Sequence, residues 1–160
     1  MLQFKDRLAP FAVGRRIDSE EWNAITRTYE AADGTVRLPF GSPVKAGTVK
    51  HSCVPTTATS SENFLGITEA MPNLPRLGDG YARYDNVPIL EWGVIAVAVT
   101  GNVTAGAIAR WDNTNKIWTA AAQSVSVVTI PGCTFEETAT APGITPVRLR
   151  RPNPALTISG

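Results

Sequence analysis

Residues 91–111, EWGVIAVAVTGNVTAGAIARW, decide the fold class. The run VIAVAV at 94–99 is rich in β-branched residues, and TGN at 100–102 punctuates it before a second run, GAIARW. This is the pattern of two strands and a turn. The six apolar residues fall far short of the ~20 that a membrane helix needs. A sheet built this way could carry catalytic side chains at its strand ends, aromatic or charged side chains on one face, or neither. In the last case it would hold loops and termini against a partner.

Outward from this stretch the signal remains β. TVRLPF, PVKAGTVKH, FLGITEA, YARY, VPILEWGVIAVAVT, GAIARW, KIWTA, SVSVVTI and TPVRLRR are short and β-branched or aromatic, bounded by Gly, Pro, Asn or Asp. WDNTNKIW reads as a hairpin, with Trp111 and Trp118 flanking four turn-suited residues. PVKAGTV (43–49) and NVTAGAI (102–108) echo each other, each placing a Gly near a tight bend. One helix is expected before the strands. Asp18 and Glu21 have capping-box spacing, Ile17 and Trp22 staple spacing, Trp22, Ile25 and Tyr29 follow at helical intervals, and Gly34 supplies a stop. Its apolar face, Trp22 included, must cover either this chain's own sheet or a neighbouring subunit. The expected fold is mainly β: an antiparallel jelly-roll-like sandwich or barrel with one short N-terminal helix and an extended N-terminal arm. The expected division is 1–34 (arm and helix) and 35–160 (β-domain).

The chain has 160 residues, enough for one domain with a self-sufficient core. The 13 Gly and 12 Pro are spread along it, as many turns between short strands require. A formal net charge of +1 gives no basic field to attract nucleic acid. Cys53 and Cys133 are too few for a disulfide scaffold and read as two unrelated thiols in a reducing cytosol, with a single bridge between them as the alternative. Lys5, Asp6 and Arg7 interrupt any leader-like apolar run, so a soluble product of the cytoplasm is expected.

Catalytic patterns are missing. The single histidine, His51, precedes Cys53 in HSC, but two ligands do not make a zinc site, and a thiol nucleophile needs a base oriented by a third group. Glu20–Glu21 and Glu136–Glu137 are consecutive, so their side chains diverge. Asp79, Asp85 and Glu91 match no calcium loop and read as turn-forming acids. There is no G-x-S-x-G, Walker loop or G-x-G-x-x-G. No enzyme activity, metal or cofactor is expected. Trp92, Trp111, Trp118, Tyr81 and Tyr84 suit either a stacking platform for sugars or core packing. Arg148, Arg150 and Arg151 lie together with no acid after Glu137, a pattern that fits salt bridges to an acidic protein surface or a nucleic-acid contact.

The order GSPVKAGTV, FLGI, YARYDNVPILEWGVIAVAV, VTAGAIARWDNTNKIWTA and PGCTFEETATAPGITPVRLRRP resembles the structural cement, or capsid decoration, proteins of tailed bacteriophages. The resemblance is to the jelly-roll cement family of short-tailed phages and spans about residues 35–152. It implies a non-enzymatic virion protein on the outer surface of an icosahedral capsid, cementing neighbouring subunits. The implied partners are the major capsid protein and further copies of this chain, as a homodimer or homotrimer, with no specific nucleic acid and no membrane. On that reading, Phe4, Leu8 and Phe11 would dock an arm of residues 1–17 on a neighbour. The loop AMPNLPRLGDG (70–80), with Pro72, Pro75 and Arg76, is a second candidate contact; Trp22, Arg148, Arg150 and Arg151 complete the set. The alternative class is a carbohydrate-binding virion surface or tail module using the Tyr and Trp residues.

Overall fold

The computed structural model describes residues 12–17, 22–57, 63–71, 80–140 and 142–150. One long strand organises all of them. β7 (Asn86–Val99) has 14 residues, and nine residues of its sequence NVPILEWGVIAVAV are Val, Ile, Leu or Ala. Such a run is stable as a strand only when other strands take up its backbone groups and cover its side chains.

The other strands are β1 (Asn23–Tyr29), β2 (Leu38–Pro39), β3 (Pro43–Ala46), β4 (Ser52–Pro55), β5 (Phe64–Thr68), β6 (Gly80–Tyr81), β8 (Ile108–Asp112), β9 (Ile117–Thr119), β10 (Val127–Phe135) and β11 (Gly143–Leu149). Nine of the eleven form one sheet in the order β1-β4-β3-β5-β7-β11-β10-β8-β9, while β2 pairs with β6. Two further pairings, β1 with β7 and β7 with β9, close this sheet twice. The result is two rings, β1-β4-β3-β5-β7 and β7-β11-β10-β8-β9, sharing β7. The N-terminal half of β7 lies between β1 (Ile25↔Ile89) and β5 (Thr68↔Ile89), and the C-terminal half pairs with β11 from Leu149↔Gly93 to Gly143↔Val99. Gly93, with φ 134, sits at the changeover, next to a register shift between Asn23 and Ala24 of β1. Closure removes exposed sheet edges.

Each ring encloses its own apolar cluster. Tyr29, Leu38, Val44, Cys53, Tyr81, Val87 and Ile89 fill the first. Leu90, Ile95, Val97, Trp111, Trp118, Phe135, Val147 and Leu149 are the large members of the second. Burying each large side chain contributes about 1.5–3 kcal/mol. β7 therefore supplies Val87 and Ile89 to one interior and Leu90, Ile95, Val97 and Val99 to the other. The rings are also tied by Trp118, whose Nε1 donates to Gly41 O at 2.7 Å.

The expected helix gives way to a strand. Residues 18–21, with the proposed cap, lie outside the described residues, and residues 23–29 form β1, antiparallel to β7 and parallel to β4. The i, i+4 spacing of Ile25 and Tyr29 is common to a helix face and a strand face, and both pack on the first cluster. Ile25, Thr26, Thr28 and Tyr29 favour the pleated alternative. The β7 edge decides, because a helix here would leave it unpaired. No α-helix occurs among the described residues.

The segment before β1 also follows β7. Gly14 N donates to Ala96 O at 2.8 Å, Ala96 N to Arg15 O at 2.8 Å, and Ile17 N to Val94 O at 3.2 Å. The expected hairpin is present: Trp111 pairs with Trp118 across β8 and β9, their rings edge-to-face with centroids 5.7 Å apart.

Candidate functional site

His51 and Cys53, the one His–Cys pair in the sequence, are placed apart. His51 is exposed in a turn with φ 62, whereas Cys53 is fully buried in the first cluster. Burial pushes the Cys53 thiol up to about 11, and Cys133, buried in the second cluster, is also raised by burial. Both thiols are free and belong to different interiors. Such thiols are poor nucleophiles.

The acids serve turns. Asp85 Oδ2 accepts from Ala82 N at 2.8 Å, and Asp112 Oδ1 accepts from Thr114 N and Asn115 N in the β8–β9 turn. Glu91 accepts from Asn23 Nδ2 across the β1–β7 pair. Among the described residues no three His, Cys, Asp or Glu gather as a metal site would require, and no helix is long and apolar enough to cross a membrane.

Of the aromatics, Tyr81, Trp111 and Trp118 are core residues, and Trp92 is half-buried, so these four do not form an exposed stacking platform. Tyr84 is 68% exposed and Trp22 45%. The Trp22 ring lies under the Arg16 guanidinium, 3.5 Å from centroid to Cζ, and Arg16 Nε contacts Glu69 Oε1 at 2.7 Å. Burial raises the Glu69 carboxyl, and the nearby Arg16 opposes that shift. Trp22 is thus surface-accessible but also braced by its own chain.

The basic C-terminal group is less free than its sequence suggests. Arg148 makes a two-pronged ion pair with Glu136, at 2.9 Å (Nε–Oε1) and 3.2 Å (Nη2–Oε2). Arg150 is exposed and donates to Thr134 Oγ1 at 3.3 Å. The register Thr134↔Arg148 between β10 and β11 sets up the Glu136 pair, and linear sequence gives no sign of it. Phe4, Leu8, Phe11, Pro72, Pro75, Arg76 and Arg151 lie outside the described residues.

Two concave surfaces lie near these elements. One, of about 440 Å³, is lined by Asn23, Phe64, Leu65, Trp92, Pro131 and Leu149 with Glu91. The other, about 510 Å³, lies where the described chain begins, among Ala12, Val13, Phe40 and Met71 with Arg15 and Lys116 at its sides. Both are mostly apolar, and neither gathers a nucleophile with a base.

Sequence reasoning missed Glu30. Its carboxylate accepts from Thr48 N at 2.9 Å, Val49 N at 3.2 Å, Ser52 Oγ at 2.7 Å and the Thr48 hydroxyl, fixing the β3–β4 turn. These bonds, led by those from Thr48 and Ser52, hold its carboxyl down to about 2. The residues are 18 to 22 positions apart, too far for a local motif.

The described residues offer ordered turns and a doubly closed sheet, and no catalytic or metal-binding group is assembled among them. Residues 2–150 match the family of the structural cement protein (E217 gp24/Pam3 gp6). The chain belongs to this family. It is thus a relative of phage structural proteins, and the resemblance seen over residues 35–152 extends through the N-terminal section as well. A solved chain from the capsid of Myoviridae Phage XM1 shares the cement protein's fold with a TM-score of 0.69, at 16% identity over 94% of this chain and 95% of the other. No curated protein matched.

Proposed function

We propose that this cement protein is a non-enzymatic component of a virus particle that binds the outside of an icosahedral capsid and links neighbouring capsid subunits. The observation that carries the reading is the family match over residues 2–150. The physical character of the chain supports it. Two closed rings give a stiff body, the loops are locked by carboxylates, and the buried thiols and dispersed acids leave no catalytic constellation among the described residues. A bridging protein needs a rigid frame with at least two contacts, and weak contacts on linked subunits add through avidity.

The partners proposed are the major capsid protein and further copies of this chain, as a dimer or trimer around a symmetry axis of the shell. Docking would use an N-terminal arm within the 1–34 section and the loop at 70–80. Among the basic residues, Arg150 and Arg151 are the stronger candidates, since Arg148 already has Glu136. The arm itself is best placed at residues 1–11, because residues 14–17 are bonded to β7.

Co-sedimentation with purified shells tests this. The protein should pellet with expanded shells and remain in the supernatant with unexpanded ones. Failure to pellet with either would end the reading.

A further inference from the structure

The shared strand β7 has one gap in its pairing. Asn86 to Leu90 and Trp92 pair with β1, and Gly93 to Val99 pair with β11, so among the described residues Glu91 alone in β7 has no cross-strand partner. β5 joins β7 only at Ile89 and Leu90. Glu91 and Trp92 therefore stand between the start of β5 and the end of β11. With Phe64, Leu65, Pro131 and Leu149 they line the cleft of about 440 Å³.

β11 ends at this cleft. Its last residue, Leu149, lies opposite Gly93. Arg150 N then donates to Gly132 O of β10 at 3.0 Å. A strand between two neighbours bonds to them alternately, so residue 151 would turn its backbone groups back to β7. The antiparallel register, advanced by two from Leu149↔Gly93, would set it opposite Glu91, the unpaired position. The pairing can go no further. Pro152 has no N–H, and Leu90 already has Ala24 and Ile67 as partners. A chain following β11 would have to leave β7 at this point and cross the cleft.

The sequence that follows Arg150 is RPNPALTISG, and its chemistry suits the lining. Proline-rich segments are preformed in an extended helix, and aromatic-lined grooves bind them at low entropic cost. Trp92 is half-buried, and its indole N–H has no hydrogen-bond partner among the described residues, so it is available to a backbone carbonyl. Glu91 engages Asn23 Nδ2 through Oε2, which leaves Oε1 for a cation.

We infer that the cleft is the seat of this chain's own C-terminal segment, residues 151–160, with Arg151 against Glu91 and Pro152, Pro154 and Leu156 over Trp92, Phe64 and Leu65. Seated there, the segment ties β5 of the first ring to β10 and β11 of the second. The tether selects the occupant. A segment held at the rim by Arg150 has an effective concentration on the order of 1 mM, which a second copy's segment does not reach in dilute solution. The inference does not depend on the capsid-binding reading, and it narrows the outward basic candidates to Arg150.

The test follows the Trp92 indole N–H by NMR in the full chain, with Trp92→Phe assigning the resonance. Wild type is compared with a variant carrying Pro152→Ser, Pro154→Ser and Leu156→Ser. Indole hydrogen exchange should be about ten-fold slower in wild type, as for a segment of ~0.1 mM affinity tethered at ~1 mM. A synthetic peptide of residues 151–160, added to the variant, should return the Trp92 resonance to its wild-type position. Added to wild type, it should change nothing. The same resonance and exchange rate in wild type and variant would overturn the inference, as would a peptide that fails to restore the variant. Protection of wild type that is lost on dilution would place the segment in a second copy's cleft and overturn its assignment to its own chain.

Discussion

Glu30 shows how much of this protein's order depends on single carboxylates. Because its hydrogen bonds hold the folded-state carboxyl at about 2, against an ordinary value of 4.5, the folded state binds fewer protons than the unfolded one in that interval. Its contribution to stability is therefore complete above about pH 4.5 and is lost as pH falls through 2. Urea unfolding between pH 6 and pH 2.5 should show stability falling with acid, and Glu30→Gln should lower stability at pH 6 and flatten that fall. Gly66 has a different kind of importance. A Cβ there would stand 2.1 Å from Leu90 O, with φ 149, where β5 closes on β7. Gly66→Ala should cost about 2–4 kcal/mol in chemical denaturation, whereas Gly34→Ala, with nothing within 4 Å, should change it by less than about 1 kcal/mol. Neither role could be read from composition: Glu30 acts on residues 18 to 22 positions away, and Gly66 on a strand 24 positions away.

At the scale of elements, β7 and the segments along it carry the argument. Its character was legible at once, since VPILEWGVIAVAV admits little but a buried strand, and the Trp111–Trp118 hairpin followed from its four turn residues. In sequence, β1 reads as a helix because Asp18, Glu21, Trp22 and Ile25 imitate a capped helical start. The information that overrides them, an open edge on β7, lies some 60 residues further along the chain. β4 is not legible in the sequence for a related reason. SCVP is short and scarcely alternating, and it becomes a strand through pairing with β3 and β1. The pairing of residues 14–17 with β7 also sets where an N-terminal truncation becomes harmful. Deleting residues 2–11 should leave the thermal midpoint nearly unchanged. Deleting 2–16 removes two hydrogen bonds to Ala96 and strips the buried Glu69 of Arg16, and should cost roughly 2–4 kcal/mol. Calorimetry on the two truncations distinguishes these outcomes.

For the whole molecule, the β class was legible in the spacing of short apolar runs, but the way the sheet closes was not. Two rings on one shared strand require β7 to pair with β1, β5, β9 and β11, and pairings between distant segments leave no periodic trace in sequence. The candidate contact surface was legible only in part. Trp22 and Arg150 are accessible, whereas the Glu136 ion pair of Arg148 and the exposure of Tyr84 depend on which loops meet in space. What results is a stiff, doubly closed frame with decorated ends, physically suited to spanning a junction in a lattice. The central claim is that this frame bridges capsid subunits from outside, and cryo-electron microscopy of expanded shells incubated with the protein tests it most directly. The account predicts added density on the outer surface, crossing the boundary between neighbouring capsid subunits. Density confined to a single subunit, or on the inner surface, would contradict it.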